Sequence, residues 1–274
     1  MIEEVLQFGE QNRLVGVITR PSKNYHKTGF ILLNSGLLSK SGAFRFSVDL
    51  SRQLTNLNFT TFRFDFGGIG DSETGLSSET FIERSSQEIQ LAIQQLKEKY
   101  ELDNFIVGGL CSAADCALLL DAYDDNIKGL LLIDPPAYRT KRYFKIHKLK
   151  RVLRTLHSLD IMRWLKLINK FSSPITKTSE LNFRVFPSRE TMANNLNQHL
   201  LNAHLLFIVY TGGSLSYFNH KNQFYDMFPE TNLDKNLKLH YLPKSDHLSI
   251  LKRDRDKLID LICDWAKNDV LRTN

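Results

Sequence analysis

Val107-Gly108-Gly109-Leu110-Cys111-Ser112-Ala113-Ala114 is the stretch that decides the fold. The apolar run Phe105 to Val107 ahead of it reads as a strand, and Ser112 to Tyr123 behind it reads as a helix. The glycines and the cysteine therefore stand on a sharp strand-to-helix turn. The spacing is glycine, any residue, nucleophile, any residue, small residue, with Gly109 two positions before Cys111 and Ala113 two positions after it. Small residues are required there because such a turn brings neighbouring backbone too close for larger side chains. Taking Ser112 as the nucleophile instead would put Leu110 two positions before it, so Cys111 is the preferred reading. The competing reading is a buried structural cysteine, since free cysteine is among the most buried residue types.

Working outward, strand and helix patterns alternate. Glu3 to Phe8 and Arg13 to Ile18 read as an antiparallel pair, followed by a wholly apolar strand at Gly29 to Leu33. Helical spacing over Phe44 to Leu57 leads to a strand at Thr60 to Phe64, and a long amphipathic helix spans Ser78 to Tyr100. Beyond the turn come strands at Ile127 to Ile133, Leu205 to Tyr210 and Leu237 to Leu242, then a final helix over Leu248 to Lys267. This order predicts an α/β protein with a mostly parallel, doubly wound sheet. Between Tyr138 and His204 the alternation stops: no strand pattern, two prolines, and a basic amphipathic stretch. The expected organisation is a core of residues 1–137 and 205–274 with a helical cap inserted at 138–204.

With 274 residues, 42% of them hydrophobic and 24% charged, the chain can bury a sizeable core. Its apolar runs are far shorter than the roughly 20 residues of a membrane-spanning helix. The acidic start, Met1-Ile2-Glu3-Glu4-Val5, does not resemble a secretory signal, and three cysteines without metal-type spacing suit a reducing compartment; the expectation is a cytoplasmic protein with no metal or cofactor. The net charge of +6 is unevenly placed. Eleven basic residues and one acid fall between Arg139 and Lys170, so the remainder of the chain is net acidic. Basicity confined to one segment argues against a nucleic-acid binder. That segment has three readings: a solvated helix face, an electrostatic funnel for an anionic acyl or glycosyl substrate, and a patch resting on anionic lipid. Trp164 lies among apolar neighbours within it, facing either substrate or membrane.

Three more strings join the turn. Asn34-Ser35-Gly36-Leu37 ends the strand at Gly29 to Leu33, where acyl transfer needs a backbone N–H aimed at an oxyanion. Arg63-Phe64-Asp65-Phe66-Gly67-Gly68-Ile69-Gly70-Asp71-Ser72 ends the next strand; it misses the G-x-G-x-x-G spacing of a phosphate loop and reads as a structural turn held by Asp65 and Asp71. Ser245-Asp246-His247 follows the last strand. Together these strings resemble the α/β-hydrolase superfamily. The cysteine at the turn, Asn34 and the R-F-D-x-x-G-x-G-D-S string are most similar to the exosortase A system-associated hydrolases, which occur with bacterial exopolysaccharide loci. The resemblance spans about residues 3 to 135 and 204 to 268.

The resemblance implies hydrolysis of a small-molecule ester or thioester through an acyl-Cys111 intermediate. The alternatives are acyl transfer and a non-catalytic binding protein that keeps the fold. Of eight histidines only His247 stands just past the last strand, where this fold keeps its base. The N–H groups of Leu37 and Ser112 would bind the oxyanion, and Gly36, Leu110 and Trp164 would line the substrate. The acid departs from the pattern: the loop Thr211-Gly212-Gly213-Ser214 after the strand Leu205 to Tyr210 carries no carboxylate. Asp134 is the preferred replacement because some lipases of the superfamily carry their acid after the preceding strand; a Cys-His dyad and Asp226 are the other readings. Asp246 adjoins His247 in sequence and is expected to point elsewhere.

Overall fold

The structure is a computed structural model that describes residues 1–75, 79–157, 184, 186–214, 216–231 and 236–273. Alternating burial on β1 (Ile2–Phe8) marks a strand with one wet face. It forms a hairpin with β2 (Leu14–Arg20), which in turn pairs antiparallel with β4 (Thr60–Phe64). The mostly apolar runs become buried parallel strands, β3 (Thr28–Leu33), β5 (Asn104–Leu110), β6 (Ile127–Ile133) and β7 (Leu205–Thr211), and β8 (Leu237–Leu242), with Lys238 and His240, forms the partly exposed parallel edge. The sheet has eight strands in the order β1-β2-β4-β3-β5-β6-β7-β8. Strand order reverses between β3 and β5, and the crevice at the carboxyl ends of strands at such a switch point is where α/β sheets bind ligands.

Both faces are covered. On one lie α1 (Phe46–Asn56), through Leu50 and Leu54, and α7 (Lys252–Asn268), through Leu258, Ile262 and Trp265. On the other lie α2 (Phe81–Tyr100), through Ile89, Ala92 and Ile93, and α3 (Ser112–Leu118). Each fully buried Leu or Ile contributes about 1.5–3 kcal/mol, so these two layers carry most of the hydrophobic stabilisation.

Local chemistry moves several helix ends from their expected positions. Phe44 and Arg45 take left-handed φ values of 49° and 66°, so α1 begins only at Phe46. A capping box between Thr80 and Glu83 starts α2 at Phe81. The helix expected to run to Tyr123 closes at Leu118, where Leu119 and Leu120 turn their N–H groups to Cys116 and Ala117 carbonyls three residues back. Ser249 at φ 48° delays α7 to Lys252.

Between β6 and β7 stand α4 (Lys141–His157) and α5 (Arg189–Leu201). The sequence pattern had revealed α4 alone. α5 buries Met192, Ala193 and Leu196 in the same core as α2 and α3, and Asn195 Nδ2 donates to the Leu118 carbonyl at the end of α3. It therefore packs as part of the layer covering the sheet. A short helix α6 (Gln223–Met227) precedes β8.

Candidate active site

Cys111 follows the last residue of β5 and caps α3, with φ 61° and ψ −119°. A non-glycine residue in that region is strained, and such strain concentrates at functional sites. The turn can be this sharp because its neighbours lack bulk. A Cβ on Gly109 would lie 2.8 Å from both Ala113 Cβ and the Leu33 carbonyl oxygen, and one on Gly108 would lie 1.9 Å from the Leu131 carbonyl oxygen. The Cys111 N–H is held by the Ile133 carbonyl at 2.8 Å.

The tandem residues Cys111 and Ser112 have different surroundings. Ser112 is buried and its Oγ accepts the Gly36 N–H at 2.7 Å, which ties the end of β5 to the loop after β3. Ser35 Oγ adds a bond to the Leu110 carbonyl at 2.5 Å. As the first residue of α3, Ser112 also presents one of the N–H groups that a helix leaves without an intrahelical partner. Leu37 sits on the adjoining loop and is exposed. That loop is braced from behind: Asn34 Oδ1 accepts the Phe66 N–H at 3.1 Å, and Lys40 Nζ bridges Asp65 at 2.6 Å and Asp71 at 2.5 Å. Asp65 is buried, whereas Asp71, read with it as a buried turn-holding carboxylate, is largely exposed although the Lys40 side chain it meets is mostly covered.

His247 reaches the site on the loop after β8. Its Nδ1 donates to Asp134 Oδ2 at 2.7 Å, and Cys111 lies close enough to add to the rise in its pKa. The bond to Asp134 and then that to Cys111 raise the imidazole pKa from the ordinary 6.5 to about 9, against the opposing effect of burial. His247 is thus a proton-holding group at neutral pH. Because the folded value lies above the unfolded one, its contribution to stability is full below about pH 6.5 and is lost as pH rises through about 9. Thermal midpoints should accordingly fall across that interval, and His247→Gln should flatten the fall; a wild-type curve level from pH 6.5 to 9 would contradict this account.

Asp134 lies just past β6 at φ 50° and is fully buried. Its carboxylate accepts four hydrogen bonds: Thr211 N–H and Thr211 Oγ1 at 2.6 Å each, Ser214 Oγ at 2.5 Å, and His247 Nδ1. The stretch after β7 thus supplies donors where the resemblance implies a carboxylate. Its glycines allow close approach: a Cβ on Gly213 would lie 2.4 Å from His247 Cβ, and one on Gly212 would lie 2.4 Å from the Pro243 carbonyl oxygen. Asp246 faces away from the site and caps its own turn through the Leu248 and Ile250 N–H groups. Asp226 pairs with His220 at 3.6 Å. Trp164 lies outside the described residues.

One residue of the site escaped the sequence analysis. Arg184 forms a two-pronged pair with Asp115 of α3 at 3.0 Å per bond, donates to the Asp134 carbonyl at 3.0 Å, and reaches Tyr217 Oη at 3.2 Å. Burial works against its charge, yet Asp115 and the nearby Cys111 hold its pKa above the usual value. It fastens the segment between β6 and β7 to the helix that follows the cysteine. No local pattern distinguishes this arginine from the other cations of that segment.

Comparison with known proteins gives one consistent answer. No family profile and no curated protein sequence matches the chain. Solved structures do. An esterase from Pyrococcus furiosus superposes with a TM-score of 0.63 at 17% identity, covering 97% of this chain and 90% of that one. An α/β serine hydrolase homologue from Coxiella burnetii gives 0.58 at 14% identity over 96% of each chain. Mouse α/β hydrolase domain-containing protein 10 gives 0.56 at 16%, over 97% of this chain and 99% of that one. With these likenesses and the sheet order above, the chain has the α/β-hydrolase fold.

Proposed function

We propose that the protein is an acyl hydrolase that cleaves a small ester or thioester through Cys111. The observation that carries this reading is the placement of His247 between a fully buried Asp134 and Cys111 on its strained turn. In this mechanism the raised imidazole pKa places the Cys111 proton on His247 Nε2, and the Cys111 thiolate attacks the carbonyl carbon while the carbonyl π electrons move onto oxygen. The Ser112 and Leu37 N–H groups face that oxyanion, with Gly36 and Leu110 beside the acyl group. Collapse of the tetrahedral species expels the alcohol or thiol, which takes the proton from His247. Water then attacks the acyl-cysteine, His247 removes its proton, and the second tetrahedral species collapses by breaking the C–S bond, which releases the acid and leaves the Cys111 thiolate beside the protonated imidazole. Asp134 keeps the proton on Nδ1 throughout.

The organisation proposed with this activity is a hydrolase core of residues 1–137 and 205–274 and a helical insertion at 138–204, pinned at Arg184. The cysteine at the turn and the R-F-D-x-x-G-x-G-D-S string support a place among the exosortase A system-associated hydrolases.

Exposure to p-nitrophenyl acetate tests the chemistry. The expected result is a burst of nitrophenolate followed by slower turnover, with the acetyl group found by mass spectrometry on the peptide containing Cys111. No burst and no acetylated Cys111 would overturn the proposal in favour of a binding protein. Release faster to an added thiol or alcohol than to water would make the protein an acyltransferase.

A further inference from the structure

α4 emerges seven residues after Asp134 and is capped by Thr140, whose Oγ1 accepts the Tyr143 N–H at 3.1 Å. Its inner face is anchored. Tyr143 is buried and donates its hydroxyl to the Ser216 carbonyl at 2.8 Å; Asn219 Nδ2 bonds the Tyr143 carbonyl at 3.1 Å; Lys150 Nζ reaches the Asn219 carbonyl at 3.2 Å. Tyr143 and Lys150, seven residues apart, mark the side turned toward the protein.

Residues elsewhere around the helix have a different character. Phe144, Leu149, Val152 and Leu153 are all about half exposed or more. Interleaved with them are the exposed cations Lys141, Arg142, Lys145 and Lys148. From Lys141 to His157 there are seven Lys and Arg and no acidic residue. Among the described residues of this face the apolar side chains are separated by cations. Such a surface suits a soft anionic layer, into which Leu and Phe can sink while lysine stems lie along the boundary and their ammonium groups meet headgroups.

We propose that the outer face of α4 docks the protein on a bilayer surface bearing anionic lipid headgroups. No helix among the described residues is long and apolar enough to cross a membrane, so this contact is peripheral. It does not depend on the chemistry assigned to Cys111. It does bring that chemistry to the bilayer, because Arg139 Nε and Tyr143 Oη both hold the Ser216 carbonyl, next to the Tyr217 that contacts Arg184.

The test is co-sedimentation of the full chain with phosphatidylcholine vesicles, with and without phosphatidylglycerol. Wild type and Cys111→Ala should bind the phosphatidylglycerol vesicles alike, and far more tightly than pure phosphatidylcholine. Each cation near an anionic surface strengthens binding by roughly fivefold, so the combined K141E, K145E and K148E variant should bind at least about 100-fold more weakly. The combined L149S and L153S variant should lose roughly tenfold. Both variants should keep wild-type thermal midpoints and wild-type turnover of p-nitrophenyl acetate, because the altered side chains point away from the core. Equal binding to both kinds of vesicle, no binding to either, or unchanged binding by the charge-reversed variant would overturn the proposal. So would absent vesicle binding together with a raised KM of that variant for a soluble anionic ester, which would assign the cations to substrate steering.

Discussion

Cys111→Ala is expected to lower kcat/KM for p-nitrophenyl acetate by about 10³-fold or more while leaving the thermal midpoint within a few degrees of wild type. Activity should drop this far because nucleophile and base act as a unit, and removing one member forfeits the covalent route entirely. Residual turnover would come from oxyanion contacts and binding, which the substitution leaves in place. Stability should change little because the Cys111 side chain is only partly buried and is not part of the packed core. The Cys111 φ of 61° is as unfavourable for alanine as for cysteine, so the substitution adds no backbone strain. Wild-type activity in Cys111→Ala would remove the proposed chemistry. In that event Ser112 would be the next candidate, although its hydroxyl is already engaged by the Gly36 N–H.

Asp134→Asn should reduce kcat by roughly 10³-fold and, unlike the cysteine substitution, should also cost stability, about 1–3 kcal/mol. The carboxylate accepts from four donors, two at each oxygen. An asparagine offers one oxygen and one NH₂ group, so whichever way it turns, an N–H is aimed at a donor. With its oxygen retained by the Thr211 N–H and Ser214, its NH₂ would face His247 Nδ1 and favour the tautomer with the proton on Nε2, which cannot accept the thiol proton. The bond to Asp134 is also the first cause of the raised His247 pKa, so that pKa should move back toward the ordinary imidazole value. Three readouts follow from one substitution: kcat, the denaturation midpoint, and the His247 titration followed by NMR. A variant that loses stability but keeps both kcat and the His247 titration would reduce Asp134 to a structural carboxylate.

Much of this molecule is written in short stretches of chain. Four mostly apolar runs became β3, β5, β6 and β7, because a strand buried on both faces leaves little place for a polar residue. Gly108, Gly109 and Ala113 announced the turn at Cys111 for an equally local reason, since only small residues fit where backbone segments nearly touch. The position of His247 after the last strand followed from strand order alone.

What tertiary structure decided is how distant groups pair. Asp134 and His247 are 113 residues apart, and neither carries a local mark of the other. They meet because the parallel register of β6 and β7 sets Ile133 against Val209, which places Asp134 beside Thr211 and its two donors. The stretch after β7 carries no carboxylate, and its N–H and hydroxyl groups instead hold the carboxylate of Asp134 one strand over. Cys111 and Ser112 differ in their surroundings in a way that spacing does not show: the Ser112 hydroxyl is engaged by the Gly36 N–H, and Cys111 is among the groups that raise the His247 pKa. Arg184 lay hidden for the same reason. Periodicity and turn sterics act within a few residues, whereas an ion pair between residues 69 positions apart exists only once the sheet and its helices have brought the two segments together.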